Sequence, residues 1–268
     1  MRKIAVLVLA GIFGLAVQTS AQTPAQTPGA TPAKPKAATG PKVGTAAKSP
    51  TAPARAYDRA LLRPALLKDK APETYQVKFV TTRGDFTVTV TRVWAPIGAD
   101  RFYNLVKHHF YDNASFFRVV PAFVVQFGIS AYPAVSAAWA NANIKDEPVV
   151  ESNKRGYLTY AKTSMPNTRS TQIFINLKDN AALDRQGFSP FGVVDAQGMK
   201  VVEMLYDQYG DNGPDQDQLT KLGKPYVDKN FPKVDSIKSA TLIGPAATAA
   251  PAKPGVASKA APPAAKPQ

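Results

Sequence analysis

The sequence predicts a mainly β domain, a barrel or sandwich of short antiparallel strands carrying helical caps. Three observations predict it. Short segments with alternating apolar residues recur between residues 75 and 243. Only two segments carry helical spacing, and they lie far apart in the chain. The strand and helix patterns do not repeat as β-α-β, which excludes a doubly wound parallel sheet.

The stretch "YQVKFVTTRGDFTVTVTR" (75–92) alternates on both sides of Arg83-Gly84-Asp85. Val77, Phe79 and Thr81 alternate on the way in, and Phe86, Val88 and Val90 on the way out, so this is a hairpin with glycine in its turn. A Gly-Asp turn accounts for the Arg-Gly-Asp tripeptide without an adhesion role. Residues 97–108 place Phe102, Leu105 and Val106 at i, i+3 and i+4, which predicts a short amphipathic helix. Lys107, His108 and His109 come in its last turn, where cations suit the helix dipole. These are the only two histidines, and neighbours on a helix point apart, so they make poor joint metal ligands. Strands are predicted at 114–120, 123–128, 156–161, 171–177 and 191–194. A second helix is predicted at 198–210, with Val201, Val202, Leu205 and Tyr209 on one face and Gly210 as its stop. A final strand is expected at 234–243.

The two ends differ from this middle. Arg2 and Lys3, the apolar run Ile4 to Val17 and the small residues Thr19-Ser20-Ala21 form a secretory signal, with cleavage expected before Gln22. The run of 14 residues is too short to span a bilayer, which takes about 20 residues. Residues 22–56 and 245–268 are rich in Ala, Pro, Thr and Lys and lack aromatic residues, so neither buries enough apolar surface to offset ordering. The expected organisation is a signal peptide at 1–21, a disordered linker at 22–56, a folded domain at 57–244 and a disordered tail at 245–268. The chain has no cysteine, so disulfides, thiolate catalysis and thiolate metal sites are all excluded. Export to a periplasm or beyond the cell is the expected location. A barrel suits an exported chain because closure removes edges open to aggregation.

The net charge of +14 divides unevenly: +7 in residues 1–56, +3 in 245–268 and only +4 in the middle. A nucleic-acid-binding domain would carry its charge on the folded part, so nucleic acid is not an expected partner. The basic tails are suited at most to weak contact with an anionic cell surface. Nothing marks a self-complementary apolar surface, and a monomer is expected.

The chemistry is narrow. The sequence offers no phosphate loop, no Ser/His/Asp arrangement and no metal-spaced histidines, and no cofactor is expected. "DNGPDQDQ" (211–218) lacks the full spacing and closing glutamate of a calcium loop and is expected to be a solvated loop. What remains is Arg118 and Gln126 in the apolar stretch "FFRVVPAFVVQFG" (116–128), with Phe123, Phe174 and Leu183 in the same or neighbouring segments. A guanidinium in such company needs a reason, because arginine is almost never fully buried unless paired. The set can bind, yet it holds no nucleophile and no acid-base pair. It suits an enzyme that changes no covalent bond.

"FYDNASFFRVVPAFVVQFG", "PNTRSTQIFINLKDNAALD" and "FGVVDAQGMKVVEMLY" resemble the cyclophilin-type peptidyl-prolyl isomerases, in the family's order and over about Tyr75 to Ile243. The resemblance implies an eight-stranded antiparallel β-barrel capped by two α-helices, with the active groove on its outer face. It implies that Arg118 is the catalytic arginine and Gln126 the glutamine that orients it. Phe123 and Val124 match the residues flanking the proline pocket, Ala161 the alanine beside the bound peptide, and Phe174 and Leu183 the pocket floor and wall. The implied substrates are Pro-containing polypeptides and unfolded exported proteins. The alternative is a catalytically weak module of the same fold that only holds such segments.

Several positions depart from the family pattern. Lys162 stands where the family has an asparagine that makes backbone contacts to the peptide, so the resemblance implies that Lys162 binds substrate through its own backbone. "AKTSMPNT" (161–168) replaces a small, Gly-containing turn, placing Met165 where it would partly cover the groove. Tyr132 replaces a common acid, and Ala182 a tryptophan, which implies weak sensitivity to the cyclic peptide inhibitor. Phe188 is the nearest counterpart of the pocket histidine.

Overall fold

A computed structural model describes residues 57–244. The expected signal peptide, linker and tail lie outside the described residues.

Eight strands form one antiparallel sheet: β1 (Thr74–Thr81), β2 (Asp85–Thr91), β3 (Arg118–Val120), β4 (Val124–Phe127), β5 (Tyr157–Tyr160), β6 (Ile173–Asn176), β7 (Pro190–Val194) and β8 (Ile237–Ile243). Their order is β3-β4-β6-β5-β7-β2-β1-β8. The sheet curls until the segments entering its two edge strands meet at a Ser115–Ser236 bridge. There Phe116 donates its N–H to the Asp235 carbonyl at 3.0 Å, and Ile237 donates to the Ala114 carbonyl at 2.8 Å. The expected eight antiparallel strands are present as a sheet curled into a half-barrel, with this one bridge as its seam.

The predicted hairpin is β1–β2, with Val80 opposite Asp85 and Gly84 at φ +131° in the turn. Arg83 of that turn pairs with the buried Asp235 carboxylate at 2.8 Å, and Asp85 pairs with Lys78 at 2.8 Å. The tripeptide is thus a fastener between the hairpin and the seam. Tyr75, Val77, Phe79, Phe86, Val88 and Val90 all face inward and are buried, as period-two alternation requires. Phe79 lies at the centre, 4.8 Å from the Phe86 ring and 5.9 Å from that of Phe127. Burying such aromatic side chains contributes roughly 2–3 kcal/mol each, before the entropy of ordering them.

Helix α1 (Pro96–Lys107) closes one end of the barrel, burying Phe102, Leu105 and Val106 as its spacing predicted. It has no side-chain cap from Ala95; instead Glu147 accepts the N–H groups of Ile97 and Gly98 at 2.5 and 3.0 Å. His108 ends the helix and pairs with Asp58 at 2.7 Å, tying down the start of the domain.

Three helices that the sequence pattern did not announce join it: α2 (Pro133–Trp139), α4 (Gln216–Leu222) and α5 (Lys224–Asn230), with α3 (Ala196–Val202) between them in the chain. The second expected helix is α3, and it stops at Val202 rather than Gly210. Beyond it Leu205 bonds back to the Val202 carbonyl, and Tyr206 gives its N–H to Asp235 at 2.8 Å. A buried acceptor on another element thus pulls the chain out of the helix. Tyr209 then packs on Phe231 at 5.3 Å instead of on the barrel core. The expected solvated loop is also partly helical. Asp215 caps α4 by accepting the Gln218 N–H at 2.8 Å, and α4 and α5 pack on Phe117 and Ile129. Gly223 makes that packing possible, since a Cβ there would stand 2.4 Å from the Ala131 carbonyl.

Candidate active site

Alternation in β3, β4 and β6 sorts residues onto the two faces of the sheet. Val119, Val125, Phe127, Ile173 and Ile175 enter the main core. Arg118, Val124, Gln126 and Phe174 are left on the outer face, brought into register by the ladder: Arg118 opposite Gln126, and Gln126 opposite Phe174. A strand face that is neither inside nor polar must be covered. The cover is the segment from the 3-10 turn Ala181–Gln186 through Phe188, which lays Leu183 and Phe188 over Val124, Ala161 and Phe174. Phe123 packs at the edge of this second, smaller apolar cluster. Phe174 and Phe188 meet edge to face at 5.8 Å.

All the apolar pocket residues expected from the sequence are therefore in one place. Arg118 stands at its border, its guanidinium carbon 5.6 Å from the Phe123 ring. Arg118 Nη1 donates to Gln126 Oε1 at 3.2 Å, and Gln126 Nε2 donates to Gln172 Oε1 at 2.8 Å. Arg118 Nε donates to Asp211 at 2.6 Å. Gln126 is 1% exposed, so its amide is locked between its two partners.

Lys162 reaches the pocket from the opposite side. Its ammonium lies 5.6 Å from the Phe188 ring and 3.4 Å from Asp146, and its side chain is 12% exposed. Asp146 also accepts the Asn167 N–H at 3.1 Å, while Asn167 accepts the Asp146 N–H at 2.8 Å, so the altered turn is pinned to residues 144–147. Behind it Arg169, buried, pairs with Glu147 at 2.9 Å and donates to the Lys145 carbonyl. Met165 is exposed and does not pack over the pocket. Tyr132 packs at the main core, its ring 5.2 Å from that of Tyr57 and its hydroxyl accepting from Asn113. Ala182 is exposed.

Sequence reading missed the polar layer under the pocket. Asn153 donates to Asp184 at 2.7 Å and to the Phe188 carbonyl at 2.8 Å, and it accepts from Thr159. Asn180 ties the Phe123 carbonyl to Asn176. Burial pushes the Asp184 carboxyl up, but hydrogen bonds from Ser152 and Asn153 outweigh it and hold the group below the usual range. Single asparagines scattered among strands give no periodic signal. Only the burial of their neighbours could have drawn attention to them.

An arginine at the border of an aliphatic-aromatic cluster on the outer sheet face, with no nucleophile beside it, suits holding a peptide and stabilising a change in its conformation. The family model described as cyclophilin type peptidyl-prolyl cis-trans isomerase/CLD matches residues 76–224. The chain belongs to this family. Relatives agree with it. A peptidyl-prolyl cis-trans isomerase of Acinetobacter baylyi is 34% identical over 145 residues, 52% of this chain and 76% of that one. Peptidyl-prolyl cis-trans isomerase A of Dickeya dadantii is 31% identical over 157 residues, 56% of this chain and 82% of that one. Among solved structures, the cyclophilin AquaCyp293 of Hirschia baltica superposes with a TM-score of 0.47 at 16% identity, over 65% of this chain and 75% of that one. This cyclophilin is a peptidyl-prolyl cis-trans isomerase.

Proposed function

We propose that Arg118 drives the isomerisation and that the Phe123, Val124, Ala161, Phe174, Leu183 and Phe188 cluster holds the proline ring. The observation that carries this reading is the guanidinium fixed at the border of an apolar cluster on the outer sheet face. The X-Pro amide resists rotation by about 18–20 kcal/mol because resonance gives its C–N bond double-bond character. Twisting the bond ends that resonance and leaves a pyramidal, more basic nitrogen. A guanidinium donor meets that nitrogen only in the twisted state, so it binds the transition state better than either planar isomer. Arginine serves because it is always charged and its fork is rigid. The pocket grips the ring while the preceding carbonyl swings, and no covalent bond changes. Gln126 orients the guanidinium, and Lys162 borders the peptide beside Phe188.

The same reading makes this an exported bacterial protein acting, as a monomer, on Pro-containing segments of newly exported chains. Its support is the basic-apolar-small pattern of residues 2–21, the absence of cysteine and the bacterial origin of the Acinetobacter and Dickeya relatives. Uncatalysed X-Pro isomerisation takes tens to hundreds of seconds, slow enough to limit folding after export.

The test is isomerisation of a short proline peptide by the full chain and by Arg118→Ala. Loss of one such donor typically costs about 10²–10³ in rate. A variant that folds and keeps the full rate would move the catalytic centre elsewhere.

A further inference from the structure

Arg118 is held from two sides, and only one holder lies on a neighbouring strand. Gln126 takes Nη1 across the β3–β4 ladder. Asp211, 93 residues further on, takes Nε at 2.6 Å. Nη2 makes no hydrogen bond among the described residues.

Two features deliver Asp211 to this place. Residues Gly210–Asn212 form a 3-10 turn directly against β3. Gly213 then lies so close to the backbone that a Cβ would stand 2.5 Å from the Phe117 carbonyl, and Phe117 is the residue before Arg118. Phe117 itself is packed with Leu219 of α4 and Val227 of α5. The segment that looked like a solvated acidic loop is therefore fastened beside the arginine by a glycine contact and by two helices.

We propose that Asp211 is a positioning residue for isomerisation: it fixes the Nε edge of Arg118 while Gln126 fixes Nη1, leaving Nη2 for the twisted amide. This rests on Arg118 being the catalytic donor. One hydrogen bond leaves a guanidinium able to pivot about it, whereas two bonds on different edges set its plane before substrate arrives. The pair is not a device for stability. Asp211 is 61% exposed, and exposed pairs contribute little. Its charge does weaken the field of the guanidinium, but water screens an exposed carboxylate, while alignment needs only an acceptor atom. Asparagine keeps that atom and removes the charge.

The experiment compares the full chain with Asp211→Ala, Asp211→Asn and Arg118→Ala on a neutral proline peptide, with kcat and KM separated. A misplacement of about 1 Å can cost 10²-fold, and Gln126 still restrains the side chain, so about ten-fold is expected in kcat for Asp211→Ala, with KM within about two-fold. Asp211→Asn should stay within about three-fold of wild type in kcat. The ¹⁵N-detected Nε–H exchange of Arg118 should be slowed in wild type and Asp211→Asn and fast in Asp211→Ala, whatever the activity. An Asp211→Ala rate equal to or above wild type overturns the proposal, as does a loss confined to KM. An Asp211→Asn variant as slow as Asp211→Ala overturns it too, since charge and not alignment would then be at work. If Arg118→Ala keeps full activity, the catalytic role of Arg118 falls and this inference with it. If Arg118→Ala is inactive and Asp211→Ala is not, only the role of Asp211 falls.

Discussion

The two walls of the outer-face cluster, one at Arg118 and one at Lys162, are held in opposite ways. On the Lys162 side, the turn 161–168 hangs on Asp146, and behind it the Arg169–Glu147 pair has side chains only 1% and 5% exposed. On the Arg118 side, a glycine contact and the helices α4 and α5 fasten the 207–215 segment, and it reaches the arginine only through a largely exposed carboxylate. Removing one partner of a buried charge pair is strongly destabilising, because the other is left without solvent or counter-charge. Exposed pairs lose little, because water replaces the partner. The first wall thus belongs to the stability of the domain. The second contributes to the geometry of the arginine.

The largest effect is expected on the buried wall. Glu147→Ala leaves buried Arg169 with only its longer pairing to Asp146 at 3.7 Å and also uncaps α1, whose Ile97 and Gly98 N–H groups Glu147 accepts. A loss of about 3–5 kcal/mol by urea denaturation is expected. A loss under about 1 kcal/mol would show that the network is solvated and would dissolve the contrast between the walls.

The polar layer beneath the pocket should rank next. Asp184→Asn is expected to cost about 1–2 kcal/mol at neutral pH, at the low end for hydrogen bonds to a charged group because the site is only partly buried. The sign with pH comes from its lowered carboxyl. A depressed folded-state value means stability that is present above the ordinary 3.8 and lost as pH falls through the folded value. The gap between wild type and Asp184→Asn should therefore be full at pH 7 and shrink below about pH 4. A gap independent of pH would remove the charge from the explanation.

The smallest effect belongs to the exposed wall. Asp211→Ala should leave stability in urea within about 0.5 kcal/mol of wild type, even where kcat falls. A large loss of stability there would make the 207–215 segment structural and would erase the asymmetry from the other direction.

Much of this molecule is legible in its sequence. Period two in 75–92 set the hairpin and its buried face, because a sheet residue has only two directions to point. The helix over 97–108 was visible in three apolar positions that land on one face. The residues named by family pattern lie close together: the apolar ones gather in the outer-face cluster, with Phe123 at its edge, and Lys162 lies beside Phe188. The misses share one cause. The early end of α3, the helices α4 and α5, and the hydrogen bonds of Asn153 all depend on a partner distant in sequence. Asp235 ends one helix and holds the Arg83 turn, yet nothing in "KVDSIK" distinguishes it from a surface acid.

The sequence by itself determined the strands and the buried face of the first helix, and its family motifs singled out Arg118 and the apolar residues that gather beside it. Those depend on local periodicity and on residue chemistry carried in contiguous motifs. Tertiary structure alone decided what holds the arginine and the opposite wall: Asp211, Gln172, Asp146 and Glu147. A polar residue reveals its role only through its partner, and the partner is chosen when the chain folds.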